Sequence, residues 1–331
     1  MPILQLVLLI VGLVFLIKGA DFLVEGASAV AKIFKVPSVL IGLTIVSFGT
    51  STPELLTAFT SVTQGSTELF LGDNIGSNIT NISLILGLAA VIHPLNLKSH
   101  TVWKGIPLAL LGALAMLIFA LRELINKGLF TSLPGILQNQ EEVIGRIDQA
   151  DGLILLLFFG IFLYYTFSLA KKEPPETKTI ETIPLPKAST MFVLGIGGLA
   201  LGSNLLVTNA VELATTLGVS ESLIGATIVA FGTSLPELAA TITAARKHEA
   251  DLLVGNIVGS NIFNTLFVLG LTAAFSPLAV TGQILIDTAV MFTVTLVLFG
   301  ASHFFGFRQI TKTEGGVMLA GYAGYLVYLL T

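Results

Sequence analysis

The chain carries one long segment twice, offset by 183 residues. Residues 41–95 open with IGLTIVSFGTSTPELL, run through GDNIGSNITNISLILGL and end in HPL. Residues 224–278 open with IGATIVAFGTSLPELA, run through GNIVGSNIFNTLFVLGL and end in SPL. Without a gap, 26 of the 55 aligned positions are identical. The shared residues include Gly49/Gly232, Thr50/Thr233, Ser51/Ser234, Pro53/Pro236, Glu54/Glu237, Gly76/Gly259, Ser77/Ser260, Asn78/Asn261 and Asn81/Asn264. Each copy thus sets a carboxylate, several hydroxyls, two amides and helix breakers inside apolar sequence. Interrupted hydrophobic segments at matching places in two halves of a chain point to a transport site.

The surroundings of the repeat read as membrane. Hydrophobic residues make up 54% of the chain and charged residues 11%, with a mean hydropathy of +0.92. A soluble domain carries about 25% charged residues. The net charge of −4 says little about partners, because charges of both signs fall in loops. The chain has no cysteine, which excludes disulfides and thiolate metal sites. The opening MPILQLVLLIVGLVF lacks a basic leader region and a small-residue exit, and reads as a retained first span.

A span needs about 20 largely apolar residues. Ten such stretches lie near 3–27, 38–62, 69–92, 103–121, 152–170, 190–216, 222–245, 251–275, 283–302 and 314–330. The connection 122–151 is long and partly amphipathic, and reads as holding a short helix on the membrane surface. Residues 171–189, beginning KKEPPETKTIETIPLPKA, are polar and proline-rich, and read as a cytoplasmic linker between a first half, 1–170, and a second half, 190–331. With an external N-terminus, twelve Lys and Arg fall in inner loops and three in outer loops. The expected protein is multi-pass in the cell membrane, with its N-terminus outside. Five spans per half then make the second copy enter from the opposite side. The expected fold is all-α and integral to the membrane: ten transmembrane helices in two inverted five-helix repeats, with spans 2, 3, 7 and 8 broken.

The chemistry sits in the breaks. Gly49 and Pro53 weaken the helix around GTSTPE at 49–54, which unwinds backbone and frees carbonyl oxygens. Thr50 and Glu54 share a face at i, i+4, as do Thr233 and Glu237 in the second copy. Ser77 and Asn81, and Ser260 and Asn264, have the same spacing in the following spans. Stacked, these faces offer only oxygen ligands, which suit hard cations; Ca²⁺ takes about 6–8 oxygens. Neither motif contains His or Cys, which argues against Zn²⁺ or Cu⁺.

Not every polar residue carries function. Ser, Thr, Asn and Gly also serve as close-packing and hydrogen-bonding positions between membrane helices. That reading is favoured for Gly76, Gly259, Asn78 and Asn261. It is poor for Glu54 and Glu237, because a mid-span carboxylate costs a few kcal/mol and marks a pathway. Asp73, opposite Asn256 in the other copy, reads slightly better as a helix cap than as a residue that draws cations. Lys18, Asp21 and Glu25 read as local ion pairs. His93, His100, His248 and His303 read as solvated loop residues.

The paired signatures, GTSTPE with GDNIGSNITN and GTSLPE with GNIVGSNIFN, resemble the cation/calcium exchanger superfamily, and within it the prokaryotic sodium/calcium exchangers. The resemblance covers nearly the whole chain. It implies that Glu54 and Glu237 are central cation ligands, surrounded by hydroxyls of Thr50, Ser51, Ser77, Thr233, Ser234 and Ser260 and amides of Asn81 and Asn264. It further implies backbone carbonyls near Ser47 and Ala230, and first and sixth spans that slide over this core on glycine-rich faces. Three positions depart from the pattern. Some archaeal members carry aspartate where this chain has Asn264, Asp73 stands where asparagine is common, and Thr52 replaces a frequent leucine. The expected function is secondary antiport of Ca²⁺ against Na⁺ across a lipid bilayer, with no cofactor, no nucleic-acid partner and no enzymatic activity. A Ca²⁺/H⁺ antiporter, a K⁺-dependent exchanger and a cation channel of the same architecture stand as alternatives. The sequence carries no signal for oligomeric state.

Overall fold

The computed structural model describes residues 2–64, 67–97, 104–127, 140, 142–170, 183–217, 230–247, 249–305 and 309–330. Its elements run α1 (Pro2–Phe34), α2 (Ser38–Thr50), α3 (Thr52–Gln64), α4 (Thr67–Ile92), β1 (Leu95–Asn96), α5 (Ile106–Lys127), β2 (Val143–Ile147), α6 (Gln149–Ala170), α7 (Leu185–Thr216), α8 (Leu235–Arg246), α9 (Ala250–Phe275), β3 (Leu278–Thr281), α10 (Gly282–Phe304), β4 (Gln309–Ile310) and α11 (Lys312–Leu330). A single turn, Ala230–Gly232, precedes α8.

Seven of the described helices are long and apolar enough to cross a membrane, eight if the bent pair α2–α3 counts as one span. This is fewer than the ten read from sequence. The stretch 222–245 is described only from residue 230, and α11 carries four glycines and three tyrosines that dilute its apolarity. The first helix of the second half begins at Leu185, five residues ahead of the boundary expected at 190. Within the connection 122–151, expected to hold a surface helix, residues 128–139 and 141 lie outside the described residues. Its described part ends α5, forms β2 and starts α6.

Burial separates centre from rim. In α9, 94% of the apolar window is buried, and in α4 72%, against 22% in α6 and α7. The repeat helices α4 and α9 therefore form the core, while the other spans turn apolar side chains such as Ile10, Leu157, Tyr164 and Phe167 outward. In a bilayer such a surface needs no polar cover. Spans 3 and 8, expected to be broken, are instead continuous α4 and α9, each carrying a π-helical stretch, Thr80–Leu86 and Phe263–Val268. Widened turns of this kind gather at functional sites. Spans 2 and 7 do break as expected, at Ser51 between α2 and α3 with a 43° bend, and at Thr233–Ser234 before α8.

Two short antiparallel sheets tie loops together. Leu95 pairs with Ile310, and Leu278, the repeat counterpart of Leu95, pairs with Ile147. Between α5 and α6, Asp148 caps α6 by accepting from the Ala150 and Asp151 amides. Arg122 reaches both Asp148 and Asp151 at 2.9 Å. The Asp151 amide, then Arg122, hold the Asp148 carboxyl below the ordinary aspartate range. Lys18 and Asp21 do pair, at 4.0 Å, but Lys247 of the α8 end binds the same acidic stretch more closely, 2.7 Å from Glu25 and 3.4 Å from Asp21. His93 is exposed as expected, whereas His303 is half-buried and stacks on Phe299 at 4.0 Å. His100 and His248 lie outside the described residues.

α1 and α7 pack against each other along a glycine seam. Contacts at Gly12 with Gly202, Gly19 with Leu199 and Gly26 with Phe192 run in opposite chain directions, so the two helices are antiparallel. A Cβ on Gly19 would sit 2.6 Å from the Leu199 nitrogen, and one on Gly202 2.5 Å from that of Leu16. Only bare backbone fits there. Gly197, on the same helix, faces open space. Gly195→Val, which drives a side chain into the Leu23 backbone, is expected to cost about 1–3 kcal/mol through overpacking. It should lower the melting temperature in detergent clearly, while Gly197→Val leaves it near wild type. Equal responses from the two variants would rule out the seam.

Candidate ion-binding site

Glu54 and Glu237 are both fully buried. Each stands in the first turn of a fresh helix created by the break before it, Glu54 in α3 and Glu237 in α8. The partial positive charge of a helix N-terminus stabilises an anion there. Pro53 and Pro236 fit the same position, because the amide hydrogen that proline lacks has no partner in a first turn anyway. The break therefore turns a proline that would disrupt a helix interior into one that starts a helix.

Hydroxyls, rather than bases, meet the glutamates. Ser77 donates to Glu54 Oε1 at 2.7 Å and lies 3.1 Å from Ser234 Oγ. Ser51 and Ser260 donate to Glu237 Oε1 at 3.3 and 3.4 Å. Glu237 thus accepts from both repeats, whereas Glu54 accepts from Ser77 of its own repeat, with Ser234 of the second repeat one hydroxyl further on. The other oxygen of each, Glu54 Oε2 and Glu237 Oε2, is buried without a hydrogen-bond partner. A buried carboxylate that lacks a countercharge costs several kcal/mol. Two such groups are tolerable where a cation comes to complete them.

A further set of polar contacts recurs in both halves. Thr50 Oγ1 donates to Asn256 Oδ1 at 3.1 Å and lies 3.3 Å from Ser260 Oγ. Its counterpart Thr233 donates to Asp73 Oδ1 at 2.9 Å. Ser47 Oγ is within reach of the Gly42 and Asn256 carbonyls at 2.6 and 2.9 Å. That approach requires Gly259, where a Cβ would collide with Ser47 Oγ. The Ser47 carbonyl is not wholly freed by the break, since it still accepts the Ser51 amide at 2.9 Å. Ala230 opens the turn before α8 at the equivalent position.

The asparagines divide into two roles. Asn78 and Asn261 join the core helices: Asn78 donates to Thr265 Oγ1, and Asn261 to the Asn78 carbonyl, both at 3.1 Å. This matches the packing role read for them. Asn81 donates to Asn261 Oδ1 at 3.1 Å and keeps its own Oδ1 unpartnered. Asn264 makes no side-chain hydrogen bond with either polar atom, although it is fully buried. Asn74 reaches the Asn264 carbonyl at 3.2 Å. Sequence reasoning missed Asn256 and Asn74. It also misjudged Asp73, which lies six residues inside α4 and so cannot cap it. The signal was available in the i, i+4 spacing: Asp73 and Asn256 precede Ser77 and Ser260 by four residues in the two copies.

An anionic cage of oxygens, built from both halves of an apolar helical chain around breaks in its spans, defines a membrane cation carrier. The chain belongs to the sodium/calcium exchanger protein family, which it matches over residues 4–168 and 187–331. It is 36% identical to the CaxA protein of Alkalimonas amylolytica over 316 residues, 92% of this chain and 91% of that one. It is 32% identical to the sodium/calcium exchanger MaX1 of Methanosarcina acetivorans over 327 residues, 91% of each chain. Its fold matches the solved structure of the sodium-calcium exchanger NCX_Mj soaked with Na⁺ and Sr²⁺, with a TM-score of 0.79, 29% identity and 99% of each chain covered. The protein is thus a multi-pass membrane transporter, not an enzyme.

Asn264 offers the sharpest check on the extent of the cage. A side chain that bridged helices would show bonds, and that of Asn264 shows none among the described residues. Asn264→Leu should therefore weaken binding of at least one transported cation while leaving the melting temperature of the cation-free protein largely intact. Asn264→Asp should shift Ca²⁺/Na⁺ competition toward Ca²⁺, since Coulomb energy scales with ionic charge. Parent-like competition in both variants would remove Asn264 from the site.

Proposed function

We propose that this protein is a secondary antiporter that exchanges Ca²⁺ for Na⁺ by alternating access at the Glu54–Glu237 centre. The observation that carries this reading is the pair of buried carboxylate oxygens, Glu54 Oε2 and Glu237 Oε2, that have no hydrogen-bond partner. Two carboxylates bearing −2 are neutralised by one Ca²⁺ or by several Na⁺, so one site serves both ions in turn. Thr50, Ser51, Ser77, Asn81, Thr233, Ser234, Ser260 and Asn264 supply side-chain oxygens, and Ser47 and Ala230 supply carbonyls. MaX1 and NCX_Mj are sodium/calcium exchangers, which supports the choice of ions.

The antiparallel contact of α1 with α7, at equivalent places in the two halves, supports inverted five-helix repeats. It also supplies the moving part. Helices in contact through bare backbone have no interlocking side chains to unpack when one translates past the other. α1 and α7 slide together over the core and open the centre to one side of the membrane at a time. The distribution of Lys and Arg supports a cell-membrane protein with an external N-terminus.

Tracer flux in proteoliposomes tests both the ions and the ligands. Ca²⁺ uptake should follow an imposed Na⁺ gradient and ignore a pH gradient. Uptake driven by pH alone would move the protein to the proton-coupled alternative, and uptake needing K⁺ to the K⁺-dependent one. Glu54→Gln and Glu237→Gln keep shape and remove one charge each. Each should insert normally yet lose Ca²⁺ transport, by tenfold or more if about 1.4 kcal/mol of binding is lost. Near-normal Ca²⁺ affinity in either variant would reduce that glutamate to packing.

A further inference from the structure

The two halves of the centre share their glutamates, their Thr-Ser pairs and the serine and asparagine of GSNxxN, and differ by one charge, Asp73 against Asn256. On one side Asn256, an amide, accepts from Thr50 at 3.1 Å. On the other, the equivalent residue is Asp73, which accepts from Thr233 at 2.9 Å. Asp73 and Ser77 lie one turn apart on α4 and reach the consecutive residues Thr233 and Ser234. Ser77 also donates to Glu54. A continuous chain of contacts therefore runs from Asp73 through the break before α8 to the first glutamate. Asp73 Oδ2 is closed to solvent and has no hydrogen-bond partner. Nor is any ion pair formed with Asp73 among the described residues. At the mirror position the corresponding orphan is the Asn256 amide nitrogen, which attracts no cation.

We propose that Asp73, with the Thr233 hydroxyl, forms a separate subsite for one monovalent alkali cation beside the Glu54–Glu237 centre. Asp73 Oδ2 supplies one negative charge, and Thr233 Oγ1, having given its proton to Oδ1, keeps lone pairs for the ion. A single carboxylate among neutral groups matches a charge of +1. A divalent ion there would leave a net positive charge in a low-dielectric interior. The subsite makes the cation load unequal between the two halves, one monovalent ion greater on the side of Asp73 than on that of Asn256. This inference rests on the exchange reading above.

The test is Asp73→Asn, which installs the residue already tolerated at position 256. In proteoliposomes the Na⁺ Hill coefficient for Na⁺-driven Ca²⁺ flux should fall by about one, since that coefficient is bounded by the number of sites. The charge moved per Ca²⁺, read from the reversal potential, should change with it. The half-saturating Ca²⁺ concentration should change less than the Na⁺ dependence, and Asp73→Glu should restore the Na⁺ dependence in part. An unchanged Hill coefficient and reversal potential would overturn the proposal. So would a raised half-saturating Ca²⁺ concentration with Na⁺ dependence intact, because Asp73 would then serve the Ca²⁺ position itself. Thermal stabilisation of the purified protein by NaCl over choline chloride gives a readout that needs no transport. Asp73→Asn should lose part of that stabilisation, and full retention would count against the subsite. Wild-type Ca²⁺ flux that ignores Na⁺ would sink the exchange reading instead, and the stabilisation measurement would still decide the role of Asp73.

Discussion

Two carboxylates with no basic partner among the described residues, held in the centre of an apolar helical protein, set the terms for everything around them. The side-chain donors that meet Glu54 and Glu237 there are hydroxyls, and each glutamate keeps one oxygen unmatched. Such groups are costly inside a membrane protein. The chain offsets part of that cost locally by breaking spans 2 and 7 just ahead of them, so that each glutamate sits at a helix N-terminus. On the exchange reading proposed above, the remainder falls to a cation. A site stable only with an ion in it cannot comfortably change sides empty, and on that reading exchange is obligatory.

Closeness in the core is achieved by leaving side chains out. Gly259 admits the Ser47 hydroxyl to the second repeat, and the contact between α1 and α7 relies on Gly19 and Gly202. The two sets of glycines serve different ends. Around the centre they fix hydrogen bonds between α2 and α9, and buried bonds of this kind rigidify what they join. Along α1 and α7 they produce a smooth surface, with Lys247 fastening α1 to the end of α8 through Asp21 and Glu25. On the exchange reading the rigid part is the one that holds the ion, and the smooth part lies where motion has the least packing to undo.

Much of this was legible in the sequence. The duplication at an offset of 183 residues exposed both glutamates and their hydroxyl partners before any coordinates, because charged residues inside apolar spans are conspicuous. Gly49, Pro53 and Pro236 foretold the breaks in spans 2 and 7. The same reasoning overreached for spans 3 and 8, also expected to break, where the polar run GSN is absorbed in continuous helices that carry π-helical stretches. It also misread Asp73 as a cap, although α4 already begins six residues earlier, at Thr67.

The sequence by itself determined the class of protein: composition demanded a membrane, and periodic spans with two matching polar interruptions demanded a site shared by two halves. Residue chemistry alone restricted that site to oxygen ligands and hence to hard cations. Only the tertiary structure decided which oxygens meet. Ser51 on the first repeat serves Glu237 on the second, Thr50 finds Asn256, and Thr233 finds Asp73. These partners lie 160 to 206 residues apart along the chain. No local pattern encodes such pairings, because they arise from the way α4 and α9 lie against the breaks, and that packing is settled by the fit of whole helices.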